Sequence, residues 1–112
     1  SGAPSGELHL STGATLGPGS NSGKMTLSSG TTQTSGTSGS ILINTGEGIA
    51  SSSGTVVLSS GSSQEGVSGD VRVGSGHTSS GRAGTAHIAA GQSGGDRGAN
   101  VVVEGGSTAS EQ

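Results

Sequence analysis

Phe, Tyr, Trp and Cys are absent from this sequence. Without cysteine there is no disulfide scaffold and no thiolate metal site. Without aromatic rings there is no platform on which nucleobases or sugar rings can stack. Charge is also sparse and scattered, with four Lys or Arg against seven Asp or Glu for a formal net charge of −3. No basic cluster is present to follow a phosphate backbone, so nucleic acid is not an expected partner. An ordinary domain is roughly half apolar, whereas here the apolar fraction is 25%. That shortfall excludes a layered core of large side chains. No apolar run approaches the ~20 residues that span a bilayer, so membrane insertion is not expected. The sequence opens without Met or a signal-peptide pattern, which reads as a piece of a longer chain.

What fills the chain is small. There are 25 glycines, and with serine and threonine they make up more than half of the 112 residues. Gly/Ser/Thr bias of this kind is shared by flexible linkers and by ordered repeats with small-residue cores. Periodicity separates the two and favours order. The pattern Ser-Gly-x-Φ-x-Φ-x-x-Gly, with Φ apolar, runs from Ser5 to Gly13 and again from Ser22 to Gly30, and returns in later copies. The first Φ position falls at Leu8, Met25, Ile41, Val56, Val71, Ala86 and Val101. The second falls at Leu10, Leu27, Ile43, Leu58, Val73, Ile88 and Val103. Thirteen of the nineteen large apolar residues therefore occupy two columns. Each copy closes on a glycine: Gly13, Gly30, Gly46, Gly61, Gly76, Gly91 and Gly106. The opening glycine is present in six copies, and Ala99 replaces it in the seventh.

Φ-x-Φ is period-two alternation, which places both apolar side chains on one face of a strand. The flanking glycines are expected to turn the chain. One strand per 15–17 residues, always in the same sense, predicts an all-β fold, a parallel β-solenoid of about seven coils. The two apolar columns would form its core ladder, and the closing glycines its turns. Next inward would lie Thr12, Ser29, Thr45, Ser60, Ser75 and Ala90, whose hydroxyls can bond one another or the backbone. Residues 5–106 form the expected repeat domain, with tails at 1–4 and 107–112. The segments between copies carry no repeated large apolar residue; Leu16, Ile49 and Val67 are isolated. Either the opposite wall is built of small residues, as a thin rod, or the ladder faces other chains, as in a homotrimer.

This repeat resembles the short-coil parallel β-solenoids of surface adhesins, fibre shafts and some ice-binding proteins. The resemblance runs from about Ser5 to Gly106 and rests on the repeat rather than on a family-specific motif. It implies a rod, spacer or flat binding face outside the cell or on a cell or virion surface.

Candidate chemistry is thin. His9 and His87 lie between the two Φ residues and should point outward, about five rungs apart at ~4.8 Å each, too far to share a metal. His77 stands in a variable segment. Lys24 is the only lysine, and it closes no phosphate-binding loop. Gly94-Gly95-Asp96-Arg97-Gly98 faintly resembles a calcium-binding repeat but occurs once, whereas stacked calcium sites need many copies. No Ser is paired with a positioned His and carboxylate, and the acids Asp70 and Glu65 have no distinguishing spacing. An enzyme is not expected, and neither is a cofactor nor a metal. Ice or polymer binding needs a regular outward array, but that column reads His9, Thr26, Leu42, Val57, Arg72, His87, Val102. Within it, Leu42, Val57 and Val102 are apolar and point to lateral contact. No capping helix flanks the repeats, so the terminal strands would be open to head-to-tail stacking. The expected role is a structural segment of an extracellular or surface fibre, acting through shape and self-association. The expected partners are other copies of the chain or neighbouring repeats. An ice- or polymer-binding face and a trimeric fibre shaft are the alternatives.

Overall fold

The computed structural model describes Gly2 and residues 4–109; the outermost residues of both expected tails lie outside that set. It overturns the solenoid. Among the described residues there is no helix and no strand, and the backbone is an extended, low-contact chain. A single backbone–backbone hydrogen bond is present among them, from the Ser20 amide to the Gly17 carbonyl at 3.4 Å. A stack of parallel rungs would require such bonds along every repeat.

The chain divides into two units, Ser1–Val56 and Val57–Gln112. In the first, bends fall at residues 17–19, 33–36 and 49–51. In the second they fall at residues 64–66, 79–81 and 94–96. The sequence repeat is thus realised as a repeat of bends, each starting three or four residues past a closing glycine. Glycines in the left-handed region are Gly19, Gly36 and Gly81, with φ of 75°, 139° and 106°, and each ends a bend. The closing glycines are not among them.

Hydroxyl groups hold the bends, as expected of Ser and Thr competing for local backbone partners. The Gly66 amide donates to Ser63 Oγ at 2.9 Å, and the Gly95 amide to Ser93 Oγ at 3.3 Å. Thr78 Oγ1 donates to the Ser80 carbonyl at 2.8 Å, and Thr15 Oγ1 to the Ser20 carbonyl at 3.3 Å. No hydroxyl pairs with another hydroxyl among the described residues.

Why the rungs do not stack follows from where the apolar residues are. A coil closed on itself must cover its apolar ladder with an opposite wall, and the variable segments supply no repeated large apolar residue for one. Leu16, Ile49 and Val67 are each more than nine-tenths exposed. Among the described residues no hydrophobic side chain is buried. The accessible surface is 11541 Å². A folded monomer of this mass exposes about 5,400 Å² and its unfolded chain about 15,000 Å². The isolated chain therefore keeps about three-quarters of its unfolded surface, too little burial to offset an ordering cost of ~1–2 kcal/mol per residue.

Candidate functional site

The residues that recur most regularly are the two apolar columns, and they are displayed rather than covered. In the first column Met25, Ile41, Val56, Val71 and Val101 are 49–56% exposed. In the second, Leu10, Leu27, Ile43, Leu58, Val73 and Ile88 are 70–77% exposed; Leu8 of the first column and Val103 of the second exceed nine-tenths. The predicted core ladder is present as a pattern, but within one chain it is not a core. Leu42, Val57 and Val102, which alternate with it, are equally open.

The difference between the columns goes with a local feature of the backbone. In the second to sixth copies the opening glycine, two residues before the first-column position, closes against the previous repeat. A methyl group built on Gly23 would stand 3.5 Å from Thr12 Cβ, and one on Gly39 3.5 Å from Ser29 Cβ. On Gly54 it would lie 3.4 Å from Thr45 Cγ2, on Gly69 3.7 Å from Ser60 Cβ, and on Gly84 3.8 Å from Ser75 Cβ. Each pair lies within one unit and joins residues nine to eleven apart across a bend. These are ordinary van der Waals separations, so a real methyl fits, which accounts for Ala99 in the seventh copy. The first-column residues that follow these approaches, Met25, Ile41, Val56 and Val71, are less exposed than their second-column neighbours.

The loop after the third copy is the most closed. Thr45 Oγ1 donates to the Gly54 carbonyl at 3.2 Å, and Asn44 Nδ2 to the Thr45 carbonyl at 3.4 Å. Ser29, Thr45 and Gly48 are the least exposed of the described residues. A side chain on Gly48 would collide with the Ser51 carbonyl oxygen and come within 2.8 Å of the Ser52 carbonyl group. An open hollow beside this loop is lined by Asn44, Thr45, Gly46, Glu47, Gly48, Ser51 and Ser53. It is polar and contains one carboxylate.

Other candidate groups are not brought together. His9, His77 and His87 are exposed, and no three His, Asp or Glu among the described residues are placed to hold a metal ion. Asp70 pairs with Arg72, Nη2 to Oδ2 at 2.7 Å, with both side chains largely exposed. Residues two apart on an extended segment share a face, so this pair was readable as Asp-x-Arg. Such a surface pair contributes about 1 kcal/mol or less. Asp96 sits in the bend at 94–96. No helix among the described residues is long and apolar enough to cross a membrane.

No protein family matches this chain, and no characterised protein or solved structure is significantly similar to it.

Proposed function

We propose that this chain is a non-catalytic structural segment of an extracellular or surface fibre and works by associating with copies of itself. One observation carries the reading: thirteen large apolar residues stand in two periodic columns, and all are at least 49% exposed in the single chain. Scattered exposed Leu or Val needs no explanation, but a periodic exposed series does. The surface left uncovered exceeds that of a folded monomer by about 6,000 Å², several standard protein interfaces. Low charge favours assembly of like chains, because few like-charge contacts oppose it. The Gly, Ser and Thr that make up the remainder provide turns and backbone-bonding hydroxyls rather than reactive groups.

The test is sedimentation and far-ultraviolet circular dichroism across a wide range of protein concentration. Strand signal and sedimentation coefficient are expected to rise together. A chain that stays a monomer with a coil spectrum at every concentration overturns the reading.

A further inference from the structure

The seven apolar segments are not equal as surfaces for a second copy. Residues 40–45, Ser-Ile-Leu-Ile-Asn-Thr, contain no charge, no glycine and no proline. The same holds for residues 55–60, Thr-Val-Val-Leu-Ser-Ser. Each has three consecutive large aliphatic residues, so both faces of an extended strand would be apolar. Ile41 and Ile43 lie on one face and Leu42 on the other, and Leu42 is 84% exposed. Val56 and Leu58 alternate with Val57 in the same way, and Val57 is 78% exposed.

The other segments each break this pattern. Glu7, Lys24 and the pair Asp70 and Arg72 put charges in the first, second and fifth. The sixth has Ala86 and His87 in place of large aliphatics, and the seventh adds Glu104 and Gly105. Identical strands laid side by side bring identical residues level, and like charges directly opposite one another destabilise the pair. Only the third and fourth segments combine strong strand propensity with freedom from that penalty.

Building on the self-association reading, we infer that assembly starts at residues 40–45 and 55–60, which pair with the same segments of a second copy, parallel and in register. The occupant is another copy because the segments carry no charge that calls for a complementary partner. A copy also brings the same two runs at the same fifteen-residue spacing. In-register pairing stacks Asn44 on Asn44, a side-chain amide ladder that forms between identical residues. The backbone is ready to pair: the only hydrogen bonds within these two runs are the side-chain bonds of Asn44 and Thr45. Both apolar faces of the resulting strand pair remain able to stack further sheets.

The test uses the full chain with Leu42→Lys, Leu42→Glu and an equimolar mixture of the two. His87→Lys, in the same outward column, is the control. The readouts are the concentration at which assemblies sediment and the 4.7–4.8 Å reflection expected of stacked strands. Each Leu42 variant alone is expected to raise that concentration about fivefold or more. The mixture should return it toward that of the unsubstituted chain, because Lys and Glu then alternate, and His87→Lys should leave it in place. If the unsubstituted chain assembles and both Leu42 variants do so equally well, the inference falls while self-association stands. A mixture no better than either variant alone also overturns in-register pairing. An unsubstituted chain that never assembles overturns the self-association reading itself.

Discussion

Thr45 donates its hydroxyl hydrogen to the Gly54 carbonyl at 3.2 Å, closing the loop between the third and fourth repeats. Eight residues lie between the two, and the bend at 49–51 is among them. One hydrogen bond of this kind contributes about 1 kcal/mol net. Thr45→Val keeps the shape and removes the donor, so the closed loop should lose about fivefold in population. Nuclear Overhauser contacts between residue 45 and the Gly54 α-protons read that population directly. Thr45→Ser should restore them. Equal contacts in the Val and Ser variants would show that packing rather than the hydroxyl closes the loop.

Gly48 and Gly54 flank the same bend but obey different constraints. A Cβ at Gly48 has no room beside the Ser51 and Ser52 backbone, whereas one at Gly54 makes ordinary contact with Thr45 Cγ2 at 3.4 Å. Gly48→Ala should open the loop and abolish the contacts between residues 45 and 54. Gly54→Ala should preserve them, as the natural Ala99 indicates, and also gains slightly from the lower entropy of the unfolded chain. Contacts that survive Gly48→Ala would show that the loop relaxes without opening.

The repeat was legible in the sequence because Φ-x-Φ alternation and regular glycines leave a period that survives any backbone path. Its realisation as bends was legible only in part. Gly46 marks where the third segment stops, but the bend comes at residues 49–51, where Gly48 approaches the chain closely. That approach involves the Ser51 and Ser52 backbone three and four residues further on, along a path that the period does not specify. The solenoid failed on burial. Ile41 and Ile43 are 49% and 70% exposed, and the only large apolar residue in 47–52 is the isolated Ile49, itself 93% exposed. The thinness of the second wall was visible in the sequence, and it decided the outcome. The pairing of Thr45 with Gly54 had a signal too, since a Thr or Ser stands four residues after the first Φ in five of the repeats.

Ile43→Asp separates a surface used between chains from a core used within one. Ile43 is 70% exposed in the single chain, so a carboxylate there meets water and costs almost nothing at high dilution. In an assembly it must be buried without a partner, a cost of several kcal/mol for an unpaired ionised carboxylate. The dilute circular dichroism spectrum should therefore be unchanged while association is lost. Gln64→Asp, in the bend at 64–66, should leave both untouched. A spectrum altered by Ile43→Asp at high dilution would place Ile43 in an intramolecular core instead.

Limited trypsin digestion should report which parts of the chain an assembly covers. Four basic residues are available: Lys24 and Arg72 lie in apolar segments, whereas Arg82 and Arg97 each follow a bend directly. All four are exposed in the single chain, so dilute protein should be cut at each at similar rates. Proteases need an extended, accessible stretch on both sides of the bond, and loop tips satisfy this even in ordered proteins. On assembly, the bonds after Lys24 and Arg72 become part of covered segments and should slow by an order of magnitude or more relative to those after Arg82 and Arg97. Mass spectrometry of the first fragments distinguishes the outcomes. Early products ending at Arg82 and Arg97 support contact along the apolar columns. Uniform slowing at all four sites would instead place the bends in the interface.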